Sequence, residues 1–282
     1  YMSVLNSFDL SVTPKLLYID PTTASNYVHC MHKHDRILEI LLVQAGTGLY
    51  CVENEQFAIE SGDIVICNAN SVHDQIPDST HPYITFCIGM TDLYLPGLSP
   101  NCLIAPHAHT FFHQPAQFGE ITALTHLIQP HIPGSNDVDI TLCRQYALCL
   151  LTLLFQMIAD EPQPTSQKEE PLLCQIKAYI DEHYFEDISL AQISAHFYIS
   201  PYYLSHLFKK HFSYSVMQYV IRRRIGEAQS LLMRTRISVT NIAQRTGFSD
   251  ASHFSKLFMK YVGMSPLEYR RYRSEKAGND YY

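Results

Sequence analysis

The chain has 282 residues, of which 46% are hydrophobic and 17% are charged, a composition that predicts two packed domains and argues against long disordered segments. The sequence shows neither an apolar run of the ~20 residues that cross a bilayer nor the basic and apolar start of a secretory signal. We therefore expect a cytoplasmic protein without a membrane partner. The eight cysteines form no CxxC pair, which favours reduced thiols over zinc sites or disulfide scaffolds.

The net charge of −7 is unevenly distributed along the chain. Residues 1–164 carry four basic and 16 acidic side chains, whereas residues 199–273 carry 13 basic and three acidic ones. The basic C-terminal part favours contact with a polyanion such as nucleic acid, although a solvated charged surface would give the same counts.

The first part of the chain, from Lys15 to Phe112, contains short β-branched and aromatic runs separated by turn residues. This pattern is typical of an all-β barrel or sandwich. We predict strands at residues 37–43, 48–52, 56–59, 63–67 and 83–88.

Three histidines and one carboxylate accompany these strands. In an extended strand His32 and His34 point to the same side, and Glu39 and His73 can converge on them from neighbouring strands. Three imidazoles and one carboxylate suit Fe, Mn, Ni or Zn. The order His32-Lys-His34, Glu39, Gly46 also resembles the first motif of the cupin fold, so taken alone the barrel indicates a metal-dependent enzyme.

Two helices are predicted after the barrel, at residues 117–131 and 138–160. Apolar residues cover more than one side of the second helix, so we expect one side to pack on the barrel and another to meet a second copy of the chain. A plain core helix is the alternative. The polar segment 161–170 contains Pro162 and Pro164, which predicts a linker to a second domain.

Helix-start signals divide the rest of the chain. Serines followed three residues later by Gln or Glu, and prolines directly after Ser200 and Ser265, predict seven short helices. Their predicted bounds are 172–184, 189–196, 201–211, 216–233, 238–245, 250–260 and 266–272.

Two parts of this helical region repeat each other. Residues 190–193 match 239–242 at an offset of 49 residues, and residues 204–208 match 254–258 at an offset of 50. Each copy is a predicted helix-turn-helix unit, whose second helix can enter a major groove. The helix between the copies spans ~27 Å, which suits two recognition helices about one DNA turn, ~34 Å, apart.

The second copy carries the residues on which a family resemblance rests. The signature positions are Ile242, Ala243, Gly247, Phe248, Ser249, Phe254, Phe258, Gly263, Ser265, Pro266 and Tyr269. With Arg224 and Leu232 in the preceding helix, this pattern resembles the AraC/XylS-type transcription regulators. The resemblance implies a dimerising cupin-like sensor barrel, a small-molecule effector, a double-stranded DNA operator and, for an activator, RNA polymerase. The first copy departs from the pattern at Tyr198, where Gly is common in the turn.

The resemblance also implies which side chains meet DNA. Base-edge contacts fall on Tyr202, Ser205, His206, Ser252, His253 and Lys256. Lysine suits guanine O6 and N7, and Tyr202 can pack on a thymine methyl group. We assign phosphate contacts to Lys209, Lys210, Lys260 and the Arg222–Arg224 run, which would set register without reading sequence. For Arg224, which resembles the family's linker arginine, a structural role is the alternative.

We therefore predict an α+β multidomain chain with an N-terminal cupin-like β-barrel followed by two helices and a C-terminal all-α double helix-turn-helix domain. The predicted bounds are 1–160 for the effector-binding and dimerisation domain, 161–170 for the linker, 171–273 for the DNA-binding domain and 274–282 for a tail. We expect a regulator rather than an enzyme, without a cofactor, in which His32, His34, Glu39 and His73 line the pocket of a sugar or related metabolite. One alternative is a metal on these four residues, in a metal-binding cupin sensor or enzyme fused to the DNA-binding domain. The other is a purely structural role for the four residues, in a ligand-independent regulator or scaffold.

Overall fold

The N-terminal part of the chain is a β-barrel made of two antiparallel sheets. This computed structural model describes residues 13–23, 30–53, 55–78, 80–81, 83–106, 108–132, 134, 136–161, 171–212 and 214–276. The strands of the described residues are β1 (Lys15–Thr23), β2 (Leu38–Ala45), β3 (Thr47–Val52), β4 (Glu55–Glu60), β5 (Ile64–Cys67), β6 (His73–Pro77), β7 (Ile84–Thr91) and β8 (Phe111–Phe112). One sheet has the order β1-β7-β2-β5-β8 and the other β4-β3-β6.

Strand β2 shows how the two sides of the five-stranded sheet differ. Side chains alternate between the two faces of a strand, so Leu38 and Ile40 join the core on the outer side of the sheet. Leu41 and Val43 join a second core between the two sheets. Glu39 lies on the same side of β2 as Leu41, and its carboxylate therefore enters the barrel.

Two helices cover the outer side of this sheet, α1 (Phe118–Ile128) and α2 (Asp137–Asp160). Leu150, Leu151 and Leu154 of α2 are fully buried in the core that the helices share with the sheet. By length and composition α2 could also cross a membrane, with a mean hydropathy of 1.5 over 18 residues. Its buried leucines show that it packs on the barrel instead of standing apart from it.

The C-terminal region, residues 171–276, consists of helices in the described chain. They are α3 (Pro171–His183), α4 (Leu190–His196), α5 (Pro201–His211), α6 (Val216–Arg234), α7 (Val239–Arg245), α8 (Ala251–Val262) and α9 (Pro266–Lys276). Helix α9 continues three residues into the predicted tail, so residues 274–276 are helical. The predicted linker from 162 to 170, the end of the tail from 277 and the N-terminal arm before residue 13 lie outside the described residues.

The helix starts that the serines predict are present. Ser189 and Ser215 form complete capping boxes, in which each serine side chain accepts a backbone N–H and the glutamine three residues later accepts the N–H of the serine. Such caps satisfy backbone donors that have no partner within the helix. The eight cysteines, all within the described residues, are free thiols.

Helix α6 joins the two helix-turn-helix units by contributing to both of their cores. Tyr219 and Val220, in its first half, pack in the core of the first unit. Ile225 and Ala228, in its second half, pack in the core of the second unit. Nearly all of the length of α6 is therefore buried on at least one side.

The turn of the first helix-turn-helix unit places Tyr198 in a backbone conformation that favours glycine. Tyr198 has a φ of 54° and its side chain is 96% exposed, while the matching residue of the second unit is Gly247, with a φ of 85°. A non-glycine residue in the left-handed region costs on the order of 1–2 kcal/mol. The departure from the family pattern at Tyr198 therefore strains this turn without changing its path.

Replacing Tyr198 with glycine should stabilise the first unit. We expect the free energy of unfolding to rise by about 0.5–1 kcal/mol, because relief of the strain exceeds the entropy that glycine adds to the unfolded chain. Urea unfolding of the full chain measures it. Tyr198→Ala is the matched control, since it removes the same exposed ring but keeps a Cβ; an equal gain in this variant would contradict the conformational explanation.

Candidate DNA interface and sensor site

Helices α5 and α8 hold equivalent places in the two helix-turn-helix units. Helix α5 begins at Pro201 behind the cap Ser200, whose hydroxyl accepts the N–H of Tyr203 at 3.1 Å. Helix α8 begins behind Asp250, whose carboxylate accepts two backbone N–H groups at 2.9 and 3.1 Å. These hydrogen bonds lower the pKa of Asp250. Both helices therefore start at a fixed residue, which determines the side chains on their outer faces.

One face of each helix is buried and the opposite face is open. The buried side chains are Leu204, Leu207 and Phe208 in α5 and Phe254 and Phe258 in α8. The predicted DNA-contact residues Tyr202, His206, Lys209, Lys210, Ser252, His253, Lys256 and Lys260 are exposed, and Ser205 is half-buried. Their exposure satisfies a condition for DNA contact, and their contact with bases or phosphates stays a prediction.

The prediction that Arg222 and Arg223 contact phosphates is wrong for this conformation. Arg222 donates from Nε and Nη2 to Asp74 of strand β6 at 2.5 and 2.7 Å. Burial lowers the pKa of Arg222, but the charge of Asp74 outweighs this effect and raises it overall. Arg223 is 1% exposed and donates to Asp181 at 2.8 Å.

Arg224 has a third role, within the DNA-binding domain. Its guanidinium donates to the carbonyl oxygens of Tyr184 and Glu186, both at 2.6 Å. It thereby fixes the chain that follows α3. The three consecutive arginines thus point to the barrel, to α3 and to the loop after α3, because neighbouring residues of a helix face different directions.

The four barrel residues singled out in the sequence converge on one point. One ligand atom each of His32, His34, Glu39 and His73 lies within 4.8 Å of the others, and none of the four residues is more than 9% exposed. His34 Nε2 lies 3.3 Å from Glu39 Oε1, and His73 Nε2 lies 2.9 Å from Glu39 Oε2. The prediction that these side chains converge is confirmed by their positions.

The route by which they converge differs from the prediction. His32 and His34 do not lie on a regular strand, because only His32 pairs with the sheet, in an isolated bridge to His73. Reciprocal backbone hydrogen bonds of 3.0 and 2.9 Å join these two residues. Residues 30 to 34, here called segment 30–34, therefore form an irregular stretch that is attached to the start of β6 through His32.

The carboxylate of Glu39 is the centre of the cluster. Burial raises its pKa, but the charges and hydrogen bonds of His34 and His73 outweigh burial and hold it well below its usual range. Tyr18 of β1 also donates its hydroxyl to Glu39. No pattern in the sequence points to Tyr18 as a partner of Glu39. The related feature is Gly89, because a side chain at this position would collide with the ring of Tyr18.

Segment 30–34 also meets the DNA-binding domain directly. The backbone N–H of Cys30 donates to Gln229 Oε1 at 2.9 Å, and Arg223 Nη1 donates to the carbonyl oxygen of Met31 at 3.3 Å. Gly226 of α6 lies against the same carbonyl, with no room for a side chain. The histidine cluster and the α6 contact are thus formed by one five-residue segment, a relation that the sequence does not reveal.

A groove between α1 and α2 bears on the predicted dimer contact. It has a volume of about 510 Å³ and is bordered mainly by apolar residues, among them Leu124, Leu127 and Leu153. Leu127 is 58% exposed and Val138, at the start of α2, is 67% exposed. Helix α2 therefore buries one side on the barrel and leaves apolar residues open on another, while the second copy stays a prediction.

Comparisons with known proteins agree with this two-part architecture. The family profile described as AraC-like ligand binding domain matches residues 17–128, and the profile described as helix-turn-helix domain matches residues 193–272. An uncharacterised HTH-type transcriptional regulator of Escherichia coli K12, YdiP, is 29% identical over 85% of this chain and 80% of its own length. The HTH-type transcriptional activator RhaR of Shigella dysenteriae is 26% identical over 88% and 89%.

Among solved structures, the C-terminal domain of the two-component response regulator yesN from Fusobacterium nucleatum is 31% identical. It matches 36% of this chain and 99% of that domain, with a TM-score of 0.35. The two profiles match the barrel and the double helix-turn-helix region in the order that the sequence predicts. The chain belongs to the AraC/XylS-type transcription regulators and combines an N-terminal ligand-binding domain with a C-terminal helix-turn-helix DNA-binding domain.

Proposed function

We propose that this regulator reads a duplex operator with α5 and α8 and that a small molecule in the barrel controls it. One observation carries the DNA-reading part: two capped helices in equivalent places bury their apolar sides and present tyrosine, histidine, serine and lysine on the outside. Such side chains match base edges and phosphates in a major groove. The protein would act in the cytoplasm, where its operator is.

Within this interface we distinguish side chains that contact base edges from side chains that contact phosphates. Lys256 and Ser252 lie in the first half of α8, the part of a recognition helix that reaches base edges. Lys209 and Lys210 lie in the last turn of α5, nearer to the path of the phosphate backbone. We assign sequence preference to the first pair and general affinity to the second.

Replacing Lys256 with alanine should cost ~1–3 kcal/mol of operator binding and relax the preference at one base position. Lys209→Ala should instead weaken binding to all duplexes alike and reduce the salt slope by about one unit. Selection of duplexes from a random pool, followed by anisotropy titrations at several salt concentrations, measures both effects.

Lys15 provides the matched control, because it is an exposed lysine of the barrel that pairs with Asp92 at 2.9 Å. Lys15→Ala should bind the selected duplex like the unaltered protein. If Lys256→Ala and Lys209→Ala also bind like the unaltered protein at every salt concentration, the groove assignment is wrong.

The effector site we propose is the barrel interior. Polar groups point into it from both sheets, with Tyr83 donating to Gln75 at 3.1 Å and Tyr50 lying 3.6 Å from Cys67 Sγ. With the cluster of His32, His34, Glu39 and His73, these groups suit an oxygen-rich ligand such as a sugar or related metabolite. A thermal-shift screen of sugars and small acids tests the proposal, and an effector must change operator affinity as well as melting temperature.

We further propose that the protein is a homodimer without catalytic activity, joined through the groove between α1 and α2. Apolar residues exposed on two adjacent helices are typical of an interface. Sedimentation equilibrium of the full chain tests the dimer. Activation through RNA polymerase is proposed from the activators among the relatives, and transcription with and without the selected operator tests it.

A further inference from the structure

The strained turn of the first helix-turn-helix unit carries a side chain that does little for the fold. Among the large apolar side chains of the described chain, that of Tyr198 is the most exposed, at 96%. Its φ of 54° stands where the second unit has Gly247. Strained residues of this kind cluster at functional sites, where the strain is part of how the site works. An aromatic ring that is both strained and unburied therefore points to a partner outside the chain.

The backbone on both sides of this ring is fixed. The N–H of Tyr198 donates to the carbonyl oxygen of Ala195 at 3.2 Å, and the N–H of Ile199 donates to that of Ser194 at 3.0 Å. The side chain of Ile199 packs against the core of the first unit. The Tyr198 ring thus projects into solvent from a rigid base, which limits the entropy that it loses when it meets a partner.

The corresponding place in the second unit is closed. A side chain at Gly247 would lie 2.7 Å from the carbonyl oxygen of Phe185 and 2.9 Å from its carbonyl carbon, so the chain after α3 covers that turn. The exposure of Tyr198 shows that no described residue covers the turn of the first unit in this way. Only the first unit therefore has room for a partner at this place.

The position of Tyr198 between two helices indicates what that partner is. In a helix-turn-helix motif the first helix crosses the DNA backbone and the start of the second helix meets the major groove. Helix α4 ends at His196 and α5 begins at Pro201, so Tyr198 lies between the helix at the backbone and the helix in the groove. Three residues span at most ~11 Å, and the groove is ~12 Å wide. Tyr198 therefore lies near the phosphates that border the groove and not over the bases.

The charges of the two units favour the same assignment. Residues 188–208 contain neither lysine nor arginine, and Lys209 and Lys210 lie at the opposite end of α5. In the second unit the exposed Arg245 precedes the turn glycine by two residues. The first unit has no such cation near its turn, and a tyrosine hydroxyl is one of the uncharged groups that donate hydrogen bonds to DNA phosphates.

We infer that Tyr198 donates its hydroxyl to a phosphate of the operator backbone, beside the groove that α5 reads, and so sets the register of the first unit. The tyrosine destabilises the free protein slightly and contributes to the complex. This inference rests on the proposed function, because it adds a contact to the duplex that α5 and α8 are proposed to read.

The first test compares variants of the full chain on the duplex selected from the random pool. Tyr198→Phe should weaken binding about three- to tenfold, since it removes one hydrogen bond. The salt slope and the base preference should not change, because the hydroxyl is uncharged and reads no base. Tyr198→Gly should weaken binding at least as much although it stabilises the fold, so poor folding does not explain the loss. Tyr94→Phe, at a half-exposed tyrosine of the barrel, should bind like the unaltered chain.

The second test locates the phosphate with selected duplexes in which one phosphate at a time is replaced by an uncharged methylphosphonate. At one position beside the groove read by α5, the replacement should weaken the unaltered chain about three- to tenfold more than it weakens Tyr198→Phe. Equal effects on both proteins at every phosphate would overturn the inference.

Two further outcomes would also overturn it, and they differ in what they say of the proposed function. If Tyr198→Phe keeps full affinity while Lys209→Ala and Lys256→Ala lose it, the groove assignment stands and only the Tyr198 contact is wrong. A loss of transcription without a loss of affinity would then assign the ring to a protein partner. A chain that selects no duplex DNA would contradict both the contact and the proposed function.

Discussion

Replacing Arg222 with alanine should release the DNA-binding domain from the barrel. The carboxylate of Asp74 is completely buried, and removing the cation from such a pair costs about 3–5 kcal/mol when the remaining charge stays in place. Burial already raises the pKa of Asp74, and Arg222 is the main group that opposes this effect. The chain can avoid the cost by undocking, because Asp74 then reaches water at the end of the barrel.

We therefore expect undocking rather than unfolding in the Arg222→Ala variant. Hydrogen exchange in residues 222–229 should accelerate, and thermal unfolding should divide into two transitions, one for each domain. Lys209→Ala, which changes an exposed cation of α5, should do neither. Slow exchange and a single transition in Arg222→Ala would show that other contacts suffice to hold the domains together.

The double variant Asp74→Leu with Arg222→Met separates the charge from the packing. Well-packed apolar residues often replace a buried ion pair at no cost to stability. The double variant should therefore dock better than Arg222→Ala, with slower exchange in residues 222–229. If it undocks as fully as the single variant, the hydrogen bonds of the pair, and not only the removal of a buried charge, are essential for docking.

The helical domain could be predicted closely because its signals are local. Each serine or aspartate cap acts on backbone groups two or three residues away, so the starts of α4 to α9 follow from the sequence within one residue. The glycine preference at residue 198 is equally local, and the positive φ of Tyr198 agrees with it. The end of α8 lies beyond its predicted position, because Val262 still packs in the core, and α9 continues to Lys276.

The barrel was less predictable because its strands depend on distant partners. Strand β6 carries His73, Asp74 and Gln75, a polar run that shows no alternation, and these residues are buried only because the cluster and α6 cover them. The pairing of Asp74 with Arg222 links positions 148 residues apart. A basic run in a DNA-binding domain favours phosphate contacts, and only the tertiary structure shows that Arg222 faces the barrel.

Gly226→Ala should also undock the two domains, while strengthening the helix that carries it. Gly226 lies within α6, where alanine is favoured over glycine by about 1 kcal/mol. A methyl group there would collide with the carbonyl of Met31, lying 2.6 Å from its carbon and 3.0 Å from the carbonyl oxygen of Cys30. Both neighbours are backbone atoms of segment 30–34, so the barrel must move away from α6.

The two opposite effects make this variant a test of the interface alone. The transition of the DNA-binding domain should shift to higher temperature, whereas exchange in residues 222–229 should accelerate. Gly119→Ala is the matched control: this glycine lies in α1, with nothing within 4 Å of an added methyl group, and its replacement should leave exchange in residues 222–229 unchanged.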